Sequence, residues 1–311
     1  MRDLQLPGRS PVITSNGMVS TSQPLSTSAA LTVLKDGGNA MDAALAACAV
    51  QAVVEPASTG IGGDCFCLYA PADSPDIIAI NGSGRAPQAL NTELLLSQGI
   101  TKIEQQSAHS VTVPTAVDAW VQLNRDYGTM PLADLLQPAI GYADDGFPVA
   151  QRSAFDFAGC LALLKGDADA SDVFLKAGQT YQMGEILRQP ALAKTLREIA
   201  EKGRAGFYEG WVADDLLAKL NGLGGLHTAD DLAMARADYV TPISTNFRGY
   251  DIFECPPNGQ GMIALLLLNM AAGMDVSDGP LSISRIHHEI EAGRLAYRDR
   301  SAYLADPAFS A

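Results

Sequence analysis

GGNAMDAALAACAVQAVVEPASTGIGGDCFCLY, residues 37 to 69, is the stretch whose reading decides the fold. From Ala40 to Val54 it is apolar nearly all round, the pattern of a helix enclosed by protein rather than one lying on a surface. A membrane span needs about 20 apolar residues. This run is shorter and carries Asp42 and Gln51. Gly37 and Gly38 supply a left-handed stop for the helix before it, and Pro56 ends the Ala-rich one. Ser58 to Asp64 then offers glycines at 60, 62 and 63, which tight turning explains more often than ligand contact does. A buried helix, a glycine-rich loop and a strand thus follow one another.

Outward from this stretch, 311 residues with 47% hydrophobic content and a mean hydropathy of +0.07 predict a soluble globular protein with a large core. The net charge of -14 and pI of about 4.6 leave no basic patch for nucleic acid or an anionic membrane, so a small-molecule ligand fits better. Cys48, Cys65, Cys67, Cys160 and Cys255 form no C-x-x-C pair, and neither a disulfide framework nor a metal cage is written here. Cys65 and Cys67 share a strand face and read as small core residues in a reducing compartment. The opening MRDLQLPGRSPVITSNG has no apolar signal region, which predicts a cytoplasmic location.

In chain order, Pro11 to Ser20 around Asn16-Gly17 predicts a hairpin, and Pro24 to Lys35 a helix. Cys65 to Ala70 and Ile77 to Asn81 predict a second hairpin, which the chain leaves at Gly82-Ser83-Gly84-Arg85-Ala86-Pro87. Asn91 to Gln98 reads as a short helix and Ser110 to Val113 as a short strand. Helices follow after Thr115 and from Met130 through Tyr142, the second stopped at Gly146. Periodicity weakens from Ala150 to Gly184. Pro190 to Lys202, Gly210 to Leu220 and Thr228 to Met234 predict helices, the last with a Thr228/Asp231 cap. Tyr250 to Cys255 reads as a strand, Pro256 to Gly261 as a tight loop, Met262 to Ala272 and Leu281 to Leu304 as helices. Alternating strands and helices without a linker place the chain in the mixed α/β class.

Arg85 is the charged residue that draws notice. Flanking glycines let the backbone crowd a ligand, and a guanidinium fork suits a carboxylate held at two points. The residues alone leave it either a ligand clamp or a solvated surface cation. His287 and His288 point about 100° apart on a helix, whereas a helical metal pair wants histidines four residues apart, so packing and surface hydrogen bonds explain them. His109 and His227 stand alone, and Asp299 beside Arg298 reads as an ion-pair face.

The segments GGNAMDAALAACAVQAVVEP, STGIGGD, VTVPTAVDAW, YGTMPLADLLQPAIGYADDGFPV, GFYEG, GGLHTADDL and AYRDRSAYLADPAF together resemble the γ-glutamyltranspeptidase family in order and spacing, over almost the whole chain. The resemblance implies an N-terminal nucleophile hydrolase, an α/β (α+β) protein with an αββα four-layer sandwich. It also implies that residues 1–311 form a single domain, the large chain of a self-cleaved precursor. The partner is then a small C-terminal chain beginning with the nucleophilic threonine, and the two-chain unit is compatible with a dimer of heterodimers. No catalytic residue, metal or cofactor is expected in this chain. The implied chemistry is acyl transfer from an amide through an acyl-enzyme.

Family transpeptidases hold the substrate carboxylate with the arginine of an R-E-x-A-P-like string. Aligning Ala86-Pro87 puts Ser83 at that position, with Arg85 two residues on, about 6 to 7 Å away if the segment is extended. Ser83 and Arg85 are therefore the expected substrate-binding residues, with Arg85 taking over the arginine's role. Asp64-Cys65 and the PPNGQG loop depart from the family pattern as well. These departures and the cytoplasmic expectation favour the oxamate amidohydrolase branch, with γ-glutamyl compounds as alternative substrates and a non-catalytic binding protein as another reading. A nucleotide-binding domain is disfavoured, because phosphate cradles run from strand into helix and this loop runs from helix to strand.

Overall fold

The computed structural model describes residues 10–274, 279, 281–306 and 308–309. The chain divides after Ser58, Tyr127 and Lys194 into two compact units, one built from its first and third segments, the other from its second and fourth.

In the first unit the Ala-rich helix runs Ala40–Val54, with eleven of its fifteen residues buried. Its start is a capping box: Asn39 Oδ1 accepts from the Asp42 amide and Asp42 Oδ2 from the Asn39 amide, both at 2.9 Å. Helix Pro24–Lys35 packs along it, and Ser26 Oγ donates to Ala47 O across the contact at 2.8 Å. Gly37 has φ +95°, which confirms the left-handed stop. The helix expected from Met130 to Tyr142 is split into Leu132–Leu135 and Gln137–Asp145. Pro138 has no amide hydrogen and restarts the turn. The weakly periodic region holds three short helices, Gln151–Gly159, Leu161–Lys165 and Ala168–Phe174, and two-residue strands.

The hairpin expected over Pro11 to Ser20 does not form. No strand lies there, and Val12 and Ile13 are exposed. Asn16-Gly17 provides turn geometry, but a short two-stranded ribbon with no third strand or packing face is not stable in water.

The second unit contains a three-stranded antiparallel sheet in the order Cys65–Tyr69, Ile78–Gly82, Asp238–Val240. Helix Ala116–Tyr127 packs on it. A Cβ on Gly82 would lie 2.8 Å from Cys65 O and 3.1 Å from Ala119 Cβ, so only glycine allows this approach of helix and strand. The strand expected at Ser110 to Val113 lies outside every ladder. A 3-10 turn ends at Ser110, and the segment follows the sheet exit instead. Strand Tyr250–Glu254 pairs with Ile243–Phe247 across an Arg248-Gly249 turn with φ of +53° and +87°. Both central residues are left-handed, as in a type I′ hairpin, and without the usual Asn-Gly this turn and its first strand escape a sequence reading. The other predicted helices stand at Thr92–Ser97, Pro190–Lys202, Gly210–Gly222, Ala229–Met234, Gly261–Ala272 and Ile283–Tyr303. Pro307 lies outside the described residues. No described helix is long and apolar enough to cross a membrane.

Candidate functional site

The exit of strand Ile78–Gly82 carries both expected binding residues. Gly84 has φ +68°, and a Cβ there would sit 2.0 Å from Val113 O, so glycine is required twice over. The Val113 amide donates to Arg85 O at 2.8 Å, and the Gln88 amide to Asp231 Oδ1 at 3.0 Å. The arginine-bearing segment is thus pinned on both sides of Ala86-Pro87.

Positive φ at Gly84 also ends the extended geometry assumed for the segment, and Ser83 and Arg85 find different partners. Ser83 Oγ lies 3.1 Å from Asn258 Oδ1 and accepts from Asn258 Nδ2 at 2.9 Å. Asn81 Nδ2 donates to the same Asn258 Oδ1 at 2.9 Å. This polar knot ties the Pro256 to Gly261 loop to the strand exit. Beyond it the loop walls a cavity of about 420 Å³, lined by Phe66, Leu68, Glu254, Cys255 and Ala264 among others. Arg85 does not line that cavity. Its guanidinium is 70% exposed, and its one ionic partner among the described residues is Asp238, itself 64% exposed, 3.9 Å away.

In the glycine loop, Gly63 O accepts from the Ala116 amide at 3.1 Å, seating the loop on the start of helix Ala116–Tyr127. A Cβ on Gly60 or Gly62 would touch nothing within 4 Å, so no protein atom demands glycine there. Asp64, at the loop's end, is exposed, yet partial desolvation by its neighbours raises its pKa.

Sequence reasoning missed the residue that organises these motifs. Asp118, 2% exposed, receives Arg204 Nε at 2.7 Å, Gln122 Nε2 at 2.7 Å and the Ala237 amide at 2.8 Å. Arg204 Nη2 reaches the carbonyls of Leu232, Ala233 and Ala235, and the guanidinium lies 4.4 Å from the Tyr208 ring centroid. Tyr208 Oη accepts from the Asp118 amide and donates to Pro114 O, and burial pushes its pKa well up. One carboxylate therefore joins VTVPTAVDAW, GFYEG and the segment that leads into Asp238. Aspartate in a helix carries no sequence signal of burial. Asn81, Asn258 and Asp238 were missed because each acts through a register or loop contact distant in sequence.

Asp42 does the same for the first unit. It accepts from the amides of Asn39, Thr129 and Met130 and from Thr129 Oγ1 at 2.5 Å, which explains GGNAMDAA and YGTMP as one structural joint. His227 is 2% exposed, and its Nε2 donates to Val111 O at 3.0 Å; burial lowers its pKa. His287 and His288 have ring centroids 6.1 Å apart on an exposed helix face. Among the described residues no group of three or more His, Cys, Asp or Glu is disposed to hold a metal ion.

A sequence model of the family described as Gamma-glutamyltranspeptidase matches residues 26–311. The chain is 37% identical over 303 residues to the glutathione hydrolase-like YwrD proenzyme of Bacillus subtilis (strain 168), covering 96% of this chain and 57% of that protein. It is 34% identical over 301 residues to the oxamate amidohydrolase proenzyme of Klebsiella pneumoniae, covering 95% and 56%. It therefore spans little more than half the length of these relatives. Among solved structures, cephalosporin acylase from Bacillus halodurans superposes with a TM-score of 0.91 at 39% identity, covering 99% of this chain and 59% of that one. Helicobacter pylori gamma-glutamyltranspeptidase gives 0.90 at 32% identity, covering 97% and 88%. These likenesses bear out the expected fold class, the α+β large-subunit portion of the N-terminal nucleophile hydrolase sandwich. By the reach of the family model and by these identities, the chain belongs to the γ-glutamyltranspeptidase family.

Proposed function

We propose that this chain is the large part of a self-cleaved amidohydrolase acting on a small carboxylate-bearing amide, with Arg85 as the anchor for the substrate carboxylate. The observation that carries the reading is the Arg85 loop: backbone held on both sides by Val113 and Asp231, guanidinium presented outward. A fork whose base is fixed loses little entropy on gripping a carboxylate. Ser83, locked to Asn258, forms the adjoining wall. A small partner chain supplies an N-terminal threonine. Its hydroxyl, giving its proton to its own α-amino group, attacks the amide carbon; the C–N bond breaks, the amine departs with that proton, and water then hydrolyses the ester.

The moved arginine and the PPNGQG loop favour oxamate as substrate, and the relative named as an oxamate amidohydrolase supports that choice. A γ-glutamyl compound is the second reading, supported by the relatives named as glutathione hydrolases. The free thiols of Cys48, Cys160 and Cys255 agree with a cytoplasmic setting. Mass spectrometry of the purified protein should show a smaller chain starting with threonine; its absence would favour a non-catalytic binding protein. Ammonia release from oxamate against p-nitroaniline release from a γ-glutamyl anilide ranks the substrates. Replacing Arg85 with Ala should raise KM for the preferred substrate at least tenfold with little change in melting temperature, and an unchanged KM would remove Arg85 from the site.

A further inference from the structure

Residues 111–114 lie outside every ladder, so their backbone takes partners from side chains. His227 Nε2 donates to Val111 O at 3.0 Å at one end, and Tyr208 Oη to Pro114 O at 3.0 Å at the other. Between them Val113 meets the arginine loop. Its amide donates to Arg85 O at 2.8 Å, and its carbonyl oxygen lies 2.0 Å from where a Cβ on Gly84 would be. The segment is therefore the template on which Gly84 and Arg85 rest, and His227 fixes one end of it.

His227 is 2% exposed, and its Nδ1 is buried without a hydrogen-bond partner, so Nε2 is the ring nitrogen that holds the chain. The next residue, Thr228, opens the capping box of helix Ala229–Met234. There Asp231 Oδ2 accepts from the Thr228 amide and hydroxyl, while Oδ1 accepts from the Gln88 amide at 3.0 Å. Residues 227–231 thus grip the arginine segment on both sides, once through the template and once directly.

We propose that His227 is a positioning residue for Arg85: through the bond to Val111 O it sets where the template, and so the guanidinium, stands, while Asp231 holds the far side of the same segment. The inference rests on the reading of Arg85 as the anchor. A group that only fills space needs volume alone, whereas this role needs a donor at the right reach from the backbone. Holding a binding group in place acts on capture of the substrate, so its loss shows in KM rather than in kcat.

The test is steady-state kinetics of the mature two-chain protein with whichever of oxamate and the γ-glutamyl anilide it prefers, with melting temperatures measured alongside. The variants are His227→Gln, His227→Asn, His227→Phe and Arg85→Ala. Glutamine carries an amide that reaches Val111 O and should keep KM within about twofold of wild type, while asparagine is too short and phenylalanine has no donor. Those two should raise KM roughly two- to ten-fold, the worth of one ordinary hydrogen bond, at nearly unchanged kcat. Using a polar and an apolar replacement keeps the test decisive if one of them folds poorly. In the Arg85→Ala background neither should raise KM further, since no anchor remains to be misplaced. If Arg85→Ala raises KM but the His227 variants do not, or if their KM merely follows melting temperature or rises as much without Arg85, the positioning role is refuted and the anchor survives. If Arg85→Ala leaves KM unchanged, the anchor itself falls and the positioning role with it.

Discussion

Replacing Arg204 with Ala should destabilise the protein by about 3 kcal/mol, and the structure shows where that figure comes from. The side chain bonds Asp118 at 2.7 Å, reaches three carbonyls through Nη2 and lies over Tyr208. Removing one partner of a buried ion pair costs about 3 to 5 kcal/mol, because the charge left behind is neither paired nor hydrated. Two features pull the value to the low end. Arg204 is 20% exposed, so water can replace part of it, and Asp118 keeps its bonds from Gln122 and the Ala237 amide. With a urea m-value of about 2 kcal/mol per M, the unfolding midpoint should fall by about 1.5 M. Trp120, 4% exposed and two residues from Asp118 on the same helix, gives a fluorescence signal from this spot. Adding Asp118→Ala to Arg204→Ala should cost at least about 1 kcal/mol less than the sum of the single losses, since the orphaned charge is gone. A midpoint shift worth under about 1 kcal/mol for the single variant, or strict additivity in the double, would refute the hub.

Asp42→Ala should cost about 2 to 4 kcal/mol by stripping the amides of Asn39, Thr129 and Met130 of their acceptor, with Asp42→Asn costing less; thermal unfolding of the two variants checks the order. Burial holds the His227 pKa below its ordinary value, so the unfolded chain takes up a proton near pH 6.5 while the folded one does not. The stability His227 contributes is therefore full above about pH 6.5 and declines as pH falls towards its lowered folded value; His227→Gln should flatten that part of the stability profile. Gly84→Ala, which sets a Cβ against Val113 O and demands a left-handed alanine, should lose about 2 to 4 kcal/mol and raise substrate KM together, whereas Gly60→Ala should leave both nearly unchanged.

What was legible beforehand followed periodicity and punctuation. Ala40–Val54 and Pro24–Lys35 were readable to the residue because their apolar runs end at glycine and proline, and Thr228/Asp231 because a capping box is local chemistry. The hairpin over Pro11 to Ser20 misled because turn propensity says nothing about whether a strand finds a neighbour. At the site, Arg85 stood out through its flanking glycines, yet its spacing to Ser83 assumes an extended segment, which the positive φ of Gly84 interrupts. Asp118, Arg204 and Asp238 were silent, since burial and pairing across 86 or more residues leave no mark in spacing.

The bend at Gly84 bears on how this loop can be re-equipped. Val113 and Asp231 grip the main chain at 85 and 88 while Asn258 grips the side chain at 83, so the two positions are borne like separate bits in one clamped tool holder. A cation moved from one of these seats to the other would meet different neighbours without any recasting of the scaffold beneath.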